Sequence, residues 1–296
     1  MTTTKSALPV KAPPWDLTGS GYIFVIEPQP FSPTEAVPLP SGSYDPFEQG
    51  TSFDQSSNFH GGVGAILVVR YTTSDVVTGL GLLFVKRGPY DELMIIPGNF
   101  KNKLKDGTTS FDLAITRIYV STKESVYNGR QNWGIPKHQS DFSFTPVQDR
   151  PGSTLLTVSS PGAEDSFFSA ILTRSRWTPF AIPVSTKLAS TSFMRSILRG
   201  YRPTLVQPAL STQIDPSKLK SVTSEDASTL VGSSAKFAVT PTSTGWSKAC
   251  TISPVSGARK GYGNGVGFPE FKPWWGGLGV ELTEFNMVFP VPEVVE

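Results

Sequence analysis

The chain has 296 residues, of which only 17% are charged, and 26 basic against 24 acidic side chains leave a net charge of +2. No basic run exceeds two residues, which excludes a phosphate-binding patch and with it nucleic acid as a partner. A lone cysteine, Cys250, and two histidines, His60 and His138, exclude an intrachain disulfide and leave too few ligands for a Cys/His metal site.

With 27 glycines and 26 prolines beside abundant Val, Thr, Ser and Phe, the composition points to a mainly β fold rich in loops. The first residues lack the apolar core of a signal peptide, and no stretch approaches the ~20 apolar residues of a membrane span. A soluble, cytoplasmic chain without a membrane partner is therefore expected. No repeat or linker stands out, so residues 1–296 read as a single domain.

In chain order, the first strand is predicted over Gly21 to Gln29. Residues 30–58 carry Pro, Ser, Gly and Asp without periodicity, and so long a loop is usually functional or mobile. The segments Gly64 to Thr72 and Gly79 to Gly88 are too uniformly apolar for a strand with one wet face, and they suit a sheet covered on both sides. Strands continue through "ELMIIPGNFK" and "LAITRIYVS". The clearest helix begins at "STKE", where Ser121 and Glu124 would form a capping box, and it runs to about Trp133 with Gly134 as C-terminal cap. Pro136 forbids continuation, and "KHQSDFSF" then alternates as a strand. A second helix is predicted over Ser190 to Gly200. Residues 211–235 read as a polar excursion, residues 257–279 as an aromatic loop, and Val280 to Phe289 as the last strand.

Lys137 follows Pro136 directly. A lysine attacks a carbonyl only as the free amine, so burial or a nearby cation must lower its reference pKa of about 10.4. A helix stop, a glycine cap and a proline hold Lys137 on rigid elements, as a covalent site requires. The plainer reading of a lysine at a strand start is a solvated charge.

"NGRQNWGIPKHQSDF" resembles the Gly-Arg-Glu…Gly-Tyr-Pro-Lys-Lys signature of the acetoacetate decarboxylase superfamily, and "GPYDELMIIPGNF" resembles its Gly-x-Tyr-x-Glu segment. The opening "APPWDLTGSGY" and closing "VELTEFNMVFP" resemble distant fungal members. The resemblance implies a closed, cone-shaped antiparallel β-barrel with a few flanking helices, usually a homo-oligomer, and no cofactor. It further implies a Schiff-base lysine, Lys137, and a pocket glutamate, Glu92. The chemistry would be lyase-type, by decarboxylation, aldol reaction or dehydration. A non-covalent cyclase or isomerase and a non-catalytic binder are the alternatives.

The departures are specific. His138 replaces the family's second lysine, whose charge helps to activate the nucleophile in acetoacetate decarboxylase. Gln131 stands for the motif glutamate and Ile135 for its tyrosine, and Tyr22 to Glu27 holds no arginine. Burial would then supply most of the activation, and adjacent strand residues would face opposite ways. Ile135, Trp133, Phe100 and the late aromatic loop suit a hydrophobic carbonyl substrate of specialised metabolism rather than acetoacetate. Tyr90, Arg130 and His138 complete the expected substrate contacts, although Arg130 can equally bind backbone carbonyls, Trp133 can be core and His138 a satisfied buried histidine. Trp274 and Trp275 could close over a ligand or form an oligomer contact.

Overall fold

Alternation of large apolar side chains on both faces of the central strands sets the architecture. A computed structural model of the chain describes residues 8–75, 89–176, 178, 180–189, 204–212, 227–255 and 261–295. The strands are β1 (Trp15–Val25), β2 (Ala65–Thr73), β3 (Tyr90–Ile96), β4 (Asn99–Lys103), β5 (Thr109–Leu113) and β6 (Arg117–Val120). The helix α1 (Lys123–Trp133) precedes β7 (Lys137–Gln139), β8 (Asp141–Pro146), β9 (Ser153–Ser159), β10 (Ser166–Arg174) and β11 (Ile182–Ser185). The single-turn helix α2 (Thr186–Ala189) leads to β12 (Leu205–Gln207), β13 (Phe237–Val239), β14 (Thr242–Ser253), β15 (Leu278–Phe289) and β16 (Glu293–Val294).

The larger sheet runs β7-β6-β3-β2-β1-β15-β14-β10-β9-β8, with β11 paired to β14, and the smaller runs β16-β13-β12-β5-β4. The expected closed barrel is not formed. Among the described residues no hydrogen-bonded pair joins β7 to β8, so the ladder is open. The reason lies in the chain path: β7 and β8 are successive segments separated only by Ser140. One residue is too few for the tight turn that would fold them onto each other. The first instead pairs with β6 and the second with β9. The purely antiparallel expectation also needs correction. β6 and β7 pair in parallel because α1 forms the crossover between them, as a parallel pair requires.

β1 begins six residues before the predicted Gly21, because Trp15 and Asp16 already pair with Phe289 and Val288 of β15. The apolar run from Gly64 becomes β2, and its two faces enter different cores as its lack of a wet face implies. Val69 and Tyr71 join one cluster with Trp15, Tyr90, Ile118 and Trp133. Ile66 and Val68 join the other with Phe24, Leu93, Phe168 and Phe268. The predicted strand Gly79 to Gly88 and helix Ser190 to Gly200 lie outside the described residues.

The helix α1 ends as expected, with Gly134 in the left-handed region at φ 63° and its N–H bonded to Arg130 O. Its start differs. Thr122 is the N-cap without a side-chain cap bond, and Ser121 Oγ instead accepts the Asp91 N–H of β3 at 2.9 Å. The capping box gives way to a helix-to-sheet contact. Among the described residues no helix is long and apolar enough to cross a membrane.

Candidate active site

Three strand rungs bring the candidate side chains together. On β3, Tyr90, Glu92 and Met94 share one face, because strand side chains repeat every second residue. Tyr71 of β2 pairs directly with Tyr90, which places their rings 4.5 Å apart. On the other side of β3, β6 pairs Ile118 with Met94 and Val120 with Glu92, while Lys137 of β7 pairs with Ile118. Lys137 therefore starts one inward-facing position away from Glu92, and its long stem spans the step.

That stem passes over α1. Ser125 and Gly129 are four residues apart and so lie on one helix face. A Cβ on Gly129 would stand 2.5 Å from Lys137 Cδ and 2.8 Å from Cε. Only glycine leaves room for the lysine. Its amine then donates to Ser125 Oγ at 3.1 Å and forms a buried ion pair with Glu92 Oε1. The Tyr71 hydroxyl donates to Glu92 Oε2 at 3.2 Å, and the Tyr90 ring centre lies 5.7 Å from Lys137 Nζ. Burial first, and then the Glu92 carboxylate, hold both phenols well above their ordinary pKa, so they stay protonated as hydrogen-bond donors.

This cluster opens into a cavity of about 770 Å³. A volume of that size fits a drug-sized organic ligand, for which roughly 300–1,000 Å³ is usual. Its walls are mostly apolar, supplied by Leu67, Met94, Ile118, Leu282, Phe285 and Phe289 among others. Lys137, Glu92, Tyr90, Trp133 and Ile135 all line it. Trp133 is anchored by an indole N–H bond to Pro290 O at 2.8 Å and by edge contacts to Trp15 and Phe289.

Three other expected contacts stand outside this cavity. Arg130, fully buried, pairs with Glu48 and donates to Val231 O at 2.9 Å. His138 points to the opposite side of β7 from Lys137 and bonds Asp45 at 2.6 Å. Phe100 packs on Phe59 and borders a much smaller hollow. The late aromatic loop is elsewhere too: Tyr262, Phe268 and Phe271 pack around Phe168 on the other sheet face. Trp274 and Trp275 stack on each other at the surface, 4.2 Å apart.

Sequence reasoning overlooked Tyr71, Ser125, Asp45 and Glu48. Tyr71 was recoverable from its alternation with Leu67 and Val69, and Ser125 from its i,i+4 spacing to Gly129. The two acids sit in an irregular loop that offers no such signal.

The sequence matches no family model and no curated protein. Among solved structures, it resembles acetoacetate decarboxylase from Legionella pneumophila over 100% of this chain and 92% of that one, with TM-score 0.50 at 11% identity. The fold is that of acetoacetate decarboxylase. An acetoacetate decarboxylase-like enzyme from Sphingomonas wittichii RW1 is also similar, with 12% identity, 100% and 99% of the two chains covered and a TM-score of 0.47. At 11% identity the likeness to the Legionella pneumophila enzyme speaks for the fold alone, and the site must be argued from its own residues.

Proposed function

We propose that this chain is a lyase-type enzyme acting on a hydrophobic ketone or β-keto compound through a Schiff base at Lys137. The observation that carries the reading is a buried amine, held by Glu92 and Ser125, at one corner of a large apolar cavity. Glu92 is placed to take the proton that the ammonium sheds before attack on a carbonyl carbon. Glu92 passes that proton to the carbinolamine hydroxyl, water leaves, and the resulting iminium draws the electrons of an adjacent breaking bond and becomes an enamine. Glu92, hydrogen-bonded by Tyr71 and reprotonated from water or from the substrate hydroxyl, then protonates the enamine carbon, and water hydrolyses the iminium so formed to release the product and the lysine. Decarboxylation, retro-aldol cleavage and dehydration share this intermediate. The apolar walls favour a substrate from specialised metabolism over acetoacetate.

The test is reductive trapping with cyanoborohydride across methyl ketones of increasing chain length. Lys137 should gain the ketone's mass less its oxygen, which leaves as water, and 2-undecanone should trap faster than acetone. An unmodified Lys137, with ketone bound in the cavity, would sink the covalent mechanism. The Lys137–Glu92 ion pair favours one second reading, in which Lys137 serves as a charge and hydrogen-bond donor in a pocket cyclase. Lys137→Arg would keep measurable turnover in that case and lose essentially all of it in a Schiff-base enzyme.

A further inference from the structure

The two ends of the cavity differ in chemistry. At one end Glu92 already meets the charge of Lys137. At the other, β11, α2 and β14 supply Ser185, Thr186 and Ser243 to the wall. Ser243 pairs with Met287 and Met287 with Leu17, and residues paired across antiparallel strands point to one face, here the cavity's. Thr186 Oγ1 accepts the Ser243 N–H at 2.8 Å, which ties α2 to β14. Beyond these hydroxyls lies the protein surface, where Ile182 is 61% and Phe180 82% exposed.

The chain that builds this mouth carries charge of one sign. Ser166 to Ala189 and Lys236 to Ser253 hold Arg174, Arg176, Lys187, Lys236 and Lys248, and no acidic residue. Three of these cations belong elsewhere. Arg174 pairs with Glu281, Lys248 shares the sheet face of buried Cys250, and Lys236 precedes β13 of the smaller sheet. Arg176 and Lys187 remain, and both are exposed. Lys187 follows Thr186 of the wall. Arg176 follows Ser175, whose N–H bonds Ala249 O at 3.0 Å, and Ala249 pairs with Val280 of the wall. We propose that the ligand is an anionic amphiphile, a long-chain oxo acid whose carboxylate stays at the mouth with Arg176 and Lys187 while its ketone reaches Lys137. The path from β3 to β14 crosses β2, β1 and β15, about 19 Å along the curved wall and less across it. An extended chain advances about 1.2 Å per bond, so roughly ten bonds between carboxylate and ketone span the gap. The ketone end rests on the Schiff-base reading, and the carboxylate end does not.

Isothermal titration at low salt, comparing 11-oxododecanoate with its neutral primary amide, decides the matter. Two exposed ion pairs should make the acid bind wild type at least about fivefold tighter than the amide. Reversing both charges, with Arg176→Glu and Lys187→Glu together, should make the amide the tighter ligand and change its own affinity by less than about twofold. Equal binding of acid and amide to wild type would overturn the proposal. An advantage that survives the double reversal would overturn it too, because the carboxylate would then sit against Lys137. Equal binding combined with sedimentation of wild type on phosphatidylglycerol vesicles would assign the two cations to a membrane surface instead. Lys137→Arg keeps the charge and should keep the acid's advantage. Failure of cyanoborohydride to join 11-oxododecanoate to wild-type Lys137 would sink the Schiff-base reading alone. Both cations are exposed, so the variants should fold; if the double reversal does not, Lys187→Glu carries the comparison and should cut the acid's advantage at least about twofold.

Discussion

Gly129→Ala probes the placement of the lysine with a single methyl group. The added carbon would stand 2.5 Å from Lys137 Cδ, 2.8 Å from Cε and 3.3 Å from Cγ. Carbon atoms pack comfortably at about 3.5–4.0 Å, so the nearest contact is short by about 1 Å. The helix is the harder element to move, because Asn128 beside the site bonds Pro9 O and the Lys11 N–H through its side chain. The flexible lysine stem yields instead and carries its amine away from Ser125 and Glu92. A displacement of about 1 Å in a reacting group costs on the order of 100-fold in rate. Stability should change far less. Alanine favours a helix interior by about 1 kcal/mol over glycine, against an overpacking cost of about 1–3 kcal/mol. The net loss is at most about 2 kcal/mol, or a fall in Tm of no more than roughly 8 °C. The assay pairs thermal unfolding with reductive trapping of 2-undecanone, normalised to the exposed Lys101. Trapping at the wild-type rate in folded Gly129→Ala would refute the argument that the lysine is aimed by its passage over α1.

Two further outcomes follow from the buried ionisable groups. Burial alone would raise the Asp45 carboxyl, but the His138 partner together with the Arg130 and Arg117 charges outweighs it and holds the group below its ordinary value. A depressed carboxyl contributes stability above the unfolded pKa of about 4 and loses it as pH falls through the folded value. The Tm difference between wild type and Asp45→Asn should therefore be full near neutrality and shrink in acid; a difference independent of pH would contradict this. Cys250 is pushed up to about 12, first by burial and then by the Glu281 charge. Its thiolate fraction near pH 8 is on the order of one in 10⁴, so iodoacetamide should spare it in the native protein and modify it in guanidinium. Rapid native modification would count against that burial.

What was legible in the sequence is local. Gly134 had to close the helix because Pro136 follows, and that fixed where Lys137 would emerge. The apolar run of β2 correctly announced a sheet buried on both faces. Alternation also foretold that Lys137 and His138 would part, and the structure sends one to Glu92 and the other to Asp45. The long-range partners were hidden. Asp45 lies 93 residues before His138, and Glu48 lies 82 before Arg130. No periodicity links an irregular loop to a strand so distant, so two expected substrate contacts proved to be held by acids that no local pattern exposes. Ser121 misled for a related reason: its hydroxyl serves the neighbouring β3 instead of its own helix. The open ladder was equally invisible, because it depends on which neighbour each half of the 137–146 stretch finds.

An iminium at Lys137 can be detected without any reductant, by oxygen exchange. A ketone that passes through an iminium exchanges its carbonyl oxygen with solvent each time the adduct hydrolyses. Wild-type protein in ¹⁸O-labelled water should accelerate label uptake into 2-undecanone, and Lys137→Arg should return uptake to the uncatalysed rate. Background exchange in the wild type, with the ketone bound, or undiminished exchange in Lys137→Arg, would mean that Lys137 forms no such adduct.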